Sequence, residues 1–115
     1  KSHGTGQQVE GDLDTMRNVV VIEDLISTGK SSLNAVDALR KADLEVKGLV
    51  AIFSYGFGDS QARFVEAKCP FEVLTDYPTM LAQAQDEGYI TDAQSTLLEA
   101  WSTDPVGWSE QRQNA

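Results

Sequence analysis

Two apolar runs separated by a stretch with helical spacing organise the first half of the sequence. Residues 18–22 read Asn-Val-Val-Val-Ile, and residues 49–53 read Leu-Val-Ala-Ile-Phe. Continuous apolar runs of this length are typical of strands in a parallel sheet that are buried on both faces. Between them, apolar residues recur every three or four positions over residues 31–42, which predicts an amphipathic helix. This order predicts a β-α-β unit with parallel strands and a right-handed crossover.

The second half of the sequence continues this alternation, with turn-forming residues between the predicted elements. Pro78 suits the first turn of a helix, and Gly88 suits a helix end. Three strands alternating with helices indicate the α/β class, with an open, mostly parallel sheet and flanking helices. The predicted elements after residue 53 are a helix from Asp59 or Ser60 to about Lys68, a strand over 71–75, a helix over 77–86, a helix from Thr91 or Asp92 to about Trp101, and a polar tail over 104–115.

The composition excludes several broad classes of function. The chain has 115 residues, of which 41% are hydrophobic and 23% charged, as expected for one globular domain. Its formal net charge is −9, and residues 72–115 contain eight acids and one base, so a general nucleic-acid binder is excluded. No apolar run approaches the ~20 residues that span a bilayer. The single cysteine, Cys69, fits a reducing, cytoplasmic setting and is expected to be a buried apolar residue rather than a nucleophile.

A polar stretch directly after the first apolar run contains the candidate chemistry. Glu23 and Asp24 come first, and residues 27–32 then read Ser-Thr-Gly-Lys-Ser-Ser at the predicted helix start. Ligands of open α/β sheets bind outside the carboxyl ends of the strands. Carboxylates there can accept hydrogen bonds from sugar hydroxyls or metal-bound water, while N–H groups and hydroxyls at a helix start hold a phosphate. The stretch predicts a site for a phosphorylated ribose, and the alternative is a strand-to-helix turn with a serine cap and solvent-facing acids.

The triplet Gly29-Lys30-Ser31 is similar to the end of a nucleotide-binding P-loop, but the start of that motif is missing. A P-loop has a glycine five residues before its second glycine, and Asp24 occupies that position here. The backbone could not wrap a phosphate in the same way, and the carboxylate would repel it. The sequence therefore argues against a P-loop, and Lys30 is expected at the surface of the loop.

Residues 19–29, Val-Val-Val-Ile-Glu-Asp-Leu-Ile-Ser-Thr-Gly, resemble the motif with which type I phosphoribosyltransferases bind phosphoribosyl pyrophosphate (PRPP). Residues 1–4, Lys-Ser-His-Gly, followed by Glu-Gly at 10–11, resemble the catalytic loop of the orotate phosphoribosyltransferase family. The resemblance is specific over residues 1–57 and extends only to the fold beyond them. It matches the C-terminal part of that fold, beginning in the catalytic loop. Because the chain starts with Lys rather than Met, a missing N-terminal part is expected.

The resemblance implies a single phosphoribosyltransferase domain that is incomplete at its N-terminus. Residues 1–17 would form the catalytic loop, 18–76 the PRPP-binding core, and 77–115 the C-terminal helices and tail. The family transfers the 5-phosphoribosyl group from PRPP to orotate in de novo pyrimidine biosynthesis, which yields orotidine 5′-monophosphate and pyrophosphate. It further implies Mg²⁺ as the cofactor, a homodimer with loop residues shared between subunits, a cytoplasmic location, and no nucleic-acid or membrane partner.

The same resemblance implies a role for each matching residue. Glu23 and Asp24 would bind the ribose hydroxyls, and their charge would favour the positive character of the anomeric carbon. Ser27 would also approach orotate, and Mg²⁺ would lie near the two acids through water, without a direct protein ligand. Lys1 and His3 would close over the pyrophosphate as it gains negative charge. The implied catalytic residues are Lys1, His3 and Asp24, and the implied PRPP-binding residues are these three with Glu23, Leu25, Ile26, Ser27, Thr28, Gly29, Lys30 and Ser31.

A departure from the family pattern leaves recognition of the base open. Some members hold orotate with an arginine after the second strand, where residues 53–57 here read Phe-Ser-Tyr-Gly-Phe. Tyr55 is expected either to pack or to hydrogen-bond there, and packing is favoured. Trp101 is expected to anchor the last helix, and Trp108 to dock the tail. Two other functions stay open: a type I phosphoribosyltransferase acting on a purine, and a regulatory module that binds PRPP without catalysis.

Overall fold

The computed structural model describes residues 18–113, and these form a three-stranded parallel sheet with five helices. The strands are β1 (Asn18–Ile26), β2 (Glu45–Ser54) and β3 (Phe71–Asp76), and they lie in the order β1-β2-β3. The helices are α1 (Lys30–Lys41), α2 (Gly58–Glu66), α3 (Tyr77–Asp86), α4 (Asp92–Thr103) and α5 (Pro105–Gln113). The α/β class and the parallel β-α-β unit predicted from the sequence are confirmed. None of these helices is long and apolar enough to cross a membrane.

Strand β1 extends beyond its apolar run to include both candidate acids. Glu23 lies opposite Ala51 of β2, and Ile26 lies opposite Ser54. The sequence predicted the strand to end with its apolar run at residue 22. This was wrong, because the backbone at residues 23–26 still pairs with β2 and a strand can carry polar side chains at its end. The polar loop therefore starts only after Ile26, at the edge of the sheet.

Strand β2 also begins earlier than its apolar run, and Gly48 lies inside it. A Cβ added to Gly48 would stand 3.0 Å from the carbonyl oxygen of Pro70. The N–H of Leu49 donates to that same oxygen at 2.9 Å. Glycine at this position therefore allows the segment before β3 to approach β2 closely.

The hydrophobic core lies between one face of the sheet and helices α1 and α2. Its largest fully buried side chains come from both sheet and helices: Ile26, Leu49, Val36 and Phe64. Side chains on the other face of the sheet are exposed in the described part of the chain, since strand neighbours alternate between faces. They are Val20, Ile22, Ile52 and Leu74, exposed by 52%, 73%, 54% and 74%. The prediction that the two apolar runs, 18–22 and 49–53, are buried on both faces is therefore wrong among residues 18–113, because this second face of the sheet is open to solvent.

Side-chain capping explains where helices α3 and α4 begin, and it is absent at α2. The side chain of Asp76 accepts a hydrogen bond from the Thr79 N–H at 2.9 Å, so α3 starts as its Pro78 predicts. Thr91 forms a capping box with Gln94 at the start of α4, as predicted. Helix α2 instead begins after Phe57 without a side-chain cap. The predicted cap at residue 59 or 60 was wrong.

Residues 105–113 form helix α5, where the sequence predicted a polar tail. The Asp104 side chain accepts a hydrogen bond from the Gly107 N–H at 3.0 Å, and Pro105 occupies the first helical position. An aspartate followed by proline is a typical helix start, so the prediction of a polar tail overlooked a signal at Asp104 and Pro105. Trp108 is half-buried, and the Arg112 guanidinium lies over its ring at 3.5 Å from the centroid.

Candidate functional site

The loop between β1 and α1 is held in a conformation that only glycine adopts easily. Gly29 has a φ of +88° and is buried. A Cβ added to it would stand 3.2 Å from Cε2 of the Phe64 ring. Its carbonyl oxygen accepts the first hydrogen bond of α1, from the Leu33 N–H at 3.0 Å. Gly29 therefore satisfies two demands at once, a left-handed backbone and close contact with α2.

The two candidate acids differ in their surroundings, although they are adjacent in the sequence. Successive residues of a strand project to opposite faces of the sheet. Glu23 faces α1, is half-buried, and accepts a hydrogen bond from the Ser32 hydroxyl, with 2.6 Å between Ser32 Oγ and Glu23 Oε2. Asp24 is exposed. The sequence motif predicts the same role for both acids, whereas the structure places Glu23 against α1 and leaves Asp24 exposed to solvent.

The remaining predicted loop residues lie together around the start of α1. Ile26 is the exception, because its side chain is 1% exposed and belongs to the core, so only its backbone can face a ligand. Its carbonyl oxygen accepts a hydrogen bond from the Tyr55 N–H at 3.1 Å. The first turn of α1 contains no acid, so the positive end of the helix dipole is not neutralised by its own side chains. The residues with exposed side chains are Leu25, Ser27, Thr28, Lys30 and Ser31.

Helix α2 contacts the loop between β1 and α1 through the side chain of Arg63. Nη1 of Arg63 donates a hydrogen bond to the backbone carbonyl of Thr28 at 2.9 Å. Within the loop, the Lys30 N–H donates to the Thr28 hydroxyl at 3.3 Å. Arg63 stands 35 residues from Thr28, and no sequence motif connects the two. Sequence reasoning missed this contact, which depends on α1 and α2 covering the same face of the sheet.

An aromatic cavity of about 500 Å³ opens beside the loop. Tyr55 stacks on Phe57 with ring centroids 5.2 Å apart and meets Trp101 edge-on at 5.7 Å. The Tyr77 hydroxyl donates to the carbonyl oxygen of Leu98 at 3.1 Å, and burial, then the neighbouring Tyr55, raises its pKa. Tyr55 therefore packs, as favoured from the sequence, and Trp101 joins α4 to this cluster. The lining residues are Leu25, Phe53, Tyr55, Tyr77, Met80, Leu98 and Trp101.

A second cavity, of about 310 Å³, brings the acidic C-terminal part of the chain to the loop. Thr28 contributes to its wall, together with Asp59 at the start of α2 and Asp104 at the start of α5. The acids of residues 72–115 are therefore not all remote from the loop. Their charge opposes a bare phosphate and favours one that is accompanied by a cation.

The described residues fit a metal ion only as a companion of a ligand. Among residues 18–113, no three His, Cys, Asp or Glu side chains converge to hold a metal. Asp24 is exposed, while one oxygen of Glu23 is already bonded to Ser32. Mg²⁺ usually keeps several waters and binds through one or two carboxylates plus substrate phosphates. This donor set suits a hydrated Mg²⁺ that arrives with a diphosphate.

Two other predictions from the sequence have different outcomes. Cys69 is 3% exposed, and burial raises the pKa of its thiol against the opposing effect of Arg40. The prediction that Cys69 is buried is therefore confirmed, and a raised pKa makes its thiol less reactive. Lys1, His3 and the rest of the predicted catalytic loop over residues 1–17 lie outside the described residues.

Comparison with known proteins finds many related sequences, although no family model matches the chain. The chain is 48% identical over 101 residues to an orotate phosphoribosyltransferase from Fusobacterium nucleatum, covering 88% of the chain and 48% of the relative. The orotate phosphoribosyltransferase from Halalkalibacterium halodurans is 47% identical over 109 residues, which cover 95% of the chain and 52% of the relative. The chain thus spans about half the length of the curated relatives it matches.

Solved structures show the same likeness at the level of the fold. A structure of Leishmania donovani UMP synthase is similar with a TM-score of 0.71 and 29% identity, covering 81% of this chain and 21% of that one. The orotate phosphoribosyltransferase from Aeropyrum pernix is similar with a TM-score of 0.63 and 25% identity, covering 79% of this chain and 49% of that one. Both likenesses extend well beyond the loop after β1.

Proposed function

The chain belongs by sequence to the orotate phosphoribosyltransferase family, and from this premise we propose that the protein transfers a 5-phosphoribosyl group from PRPP to orotate. The products are orotidine 5′-monophosphate and pyrophosphate, as in de novo pyrimidine biosynthesis. One observation carries the proposal: a strand with two acids near its C-terminal end leads through a left-handed glycine into a helix start with exposed hydroxyls. This geometry suits a sugar that carries a phosphate.

The acids are proposed to bind the ribose. Asp24 is exposed and can accept hydrogen bonds from a ribose hydroxyl without losing a protein partner. Glu23 has one oxygen bonded to Ser32, which leaves its other oxygen for the second hydroxyl. As the bond to pyrophosphate breaks, positive charge develops at the anomeric carbon, and the two nearby carboxylates lower the energy of that state.

The loop is proposed to hold the 5′-phosphate. The hydroxyls of Ser27, Thr28 and Ser31 and the ammonium of Lys30 are exposed around the start of α1. Together with the backbone N–H groups of residues 25–31, they can surround a phosphate. Ser27 stands first after β1 and is proposed to contact orotate as well.

The remaining parts of the proposal come from the family resemblance. Lys1 and His3 would close over the pyrophosphate and exclude water that would otherwise hydrolyse PRPP. Mg²⁺, when bound with PRPP, would neutralise the charge of the diphosphate, held through water near Glu23 and Asp24. A homodimer with shared loop residues and a cytoplasmic location complete the proposal, and the single cysteine supports a reducing setting.

The proposal is tested by measuring pyrophosphate release by the intact protein with PRPP and Mg²⁺. Orotate, adenine and hypoxanthine are supplied separately at equal concentrations. Release with orotate and not with either purine is expected. Release only with a purine would identify a different type I phosphoribosyltransferase. PRPP binding without release for any base would favour the regulatory module and overturn the catalytic proposal.

A further inference from the structure

Ser32 lies under the candidate site and is absent from the residues that the motif assigns to it. It is the third residue of α1 and is 2% exposed. Its hydroxyl donates to Glu23 Oε2 at 2.6 Å, across the nine residues that separate them. A short hydrogen bond from a buried hydroxyl to a carboxylate belongs to the stronger class. This bond joins the end of β1 to the start of α1 and so closes the base of the loop.

We propose that Ser32 is a positioning residue, which orients the Glu23 carboxylate for a ribose hydroxyl and acts on the ligand only through Glu23. The inference rests on the proposed function, because it takes PRPP as the ligand. A glutamate side chain has three rotatable bonds, and fixing them costs entropy when a ligand binds. The bond to Ser32 fixes them beforehand, so PRPP binds to a carboxylate that is already in place.

The bond also explains why the two acids are not interchangeable. Glu23 lies on the helix side of the strand, half-buried, and its oxygen Oε2 is occupied by Ser32. Asp24 is exposed and shorter, with two rotatable bonds against the three of Glu23, so it has less freedom to lose when a ligand binds. The serine at position 32 thus serves the first acid specifically.

The test is a double-mutant cycle in the intact protein, with the PRPP dissociation constant measured by calorimetry in the presence of Mg²⁺. Ser32→Ala and Ser32→Cys are each expected to raise this constant about tenfold, the loss expected for one hydrogen bond to a charged group. Cysteine keeps the side-chain volume and donates weakly, so it controls for collapse of the buried site. In a Glu23→Ala background, Ser32→Ala is expected to have no further effect.

Ser95→Ala is the matched control, because it removes another buried serine hydroxyl, 5% exposed, from α4. It should leave the PRPP dissociation constant unchanged. Unchanged binding in both Ser32 variants would overturn the inference, and so would a loss that persists in the Glu23→Ala background. If the unmodified protein fails to bind PRPP at all, the proposed function itself fails, which is a different outcome from loss of the Ser32 effect alone.

Discussion

At the scale of single residues, the exposure of a side chain decides whether its replacement affects ligand binding or the stability of the fold. Asp24 is exposed and Gly29 is buried against α2, although both belong to the same short segment. Replacing the first should affect the ligand and spare the fold. Replacing the second should affect the fold first and the ligand as a consequence.

Asp24→Asn is expected to weaken ribose binding and turnover by about 1–3 kcal/mol, the range for a lost hydrogen bond to a charged group. Because the side chain is exposed, the melting temperature should stay the same. The measurement is kcat/KM for PRPP in the intact protein. Asp37→Asn provides the control, since that acid pairs with Lys41 on the exposed surface of α1. Equal kinetics for Asp24→Asn and the unmodified protein would remove Asp24 from the site.

Gly29→Ala is expected to lower the free energy of unfolding by about 2–4 kcal/mol, from a strained backbone and an overpacked contact together. Gly88→Ala separates the two effects, because Gly88 also has a positive φ, +80°, but nothing lies within 4 Å of an added Cβ. Gly88→Ala should therefore show the backbone cost alone, about 1 kcal/mol. Urea unfolding of both variants gives the comparison, and equal losses would show that Phe64 yields without cost.

At the scale of elements, α2 supports the candidate site without contributing to the motif. Ser60 and Phe64 lie beneath Gly29, and Arg63 reaches the backbone of Thr28. The loop is thus held by its own helix α1 on one side and by α2 on the other. A change in α2 can therefore alter the ligand site.

Arg63→Ala is expected to raise the PRPP dissociation constant about three- to tenfold, because the Thr28 carbonyl loses a hydrogen bond worth ~1 kcal/mol that orders the loop. Arg40→Ala is the matched control, since Arg40 also donates to backbone carbonyls, those of Ala67 and Lys68, but at the far end of α2. Both variants should lose stability, and only Arg63→Ala should lose affinity. Equal PRPP affinities for the two variants would count against support of the loop by α2.

At the scale of the whole molecule, two features extend beyond the site: the negative charge of the chain and an exposed apolar face of the sheet. The net charge is −9, and Asp104 brings part of that charge to a cavity beside Thr28. A phosphate ligand therefore benefits from a cation that accompanies it. One face of the sheet also exposes a row of apolar side chains within residues 18–113.

PRPP with Mg²⁺ is expected to raise the melting temperature of the intact protein, because a ligand that binds only the folded state stabilises it. The gain is about 2.7 kcal/mol at a ligand concentration one hundred times the dissociation constant. Ribose 5-phosphate, which lacks the diphosphate, should give a smaller shift. Omitting Mg²⁺ should reduce the shift with PRPP more than the shift with ribose 5-phosphate. Identical shifts with and without Mg²⁺ would contradict the proposed role of the cation.

The sequence alone determined the fold class and the place of the candidate site. The apolar runs and the helical spacing over residues 31–42 are local signals, and they correctly predicted a parallel β-α-β unit. Residues 19–29 form a continuous motif, so the resemblance to type I phosphoribosyltransferases could be recognised from them, and residues 1–4 with 10–11 narrowed it to the orotate family. The predicted end of β1 was wrong because pairing with β2, and not local polarity, decides where the strand ends. The helix start at Asp104 is a local signal that the prediction overlooked.

Only the tertiary structure decided how the site is supported. Ser32 reaches Glu23 across nine residues, and Arg63 reaches Thr28 across 35. Such partners meet because the strands and helices pack in one arrangement, and no spacing along the chain encodes the meeting. Because Glu23 and Asp24 lie within β1, their side chains point to opposite faces of the sheet. This difference exists only once the strand has formed. The sequence thus determined which chemistry is present, and packing decided which groups are held in place and which are left open to a ligand.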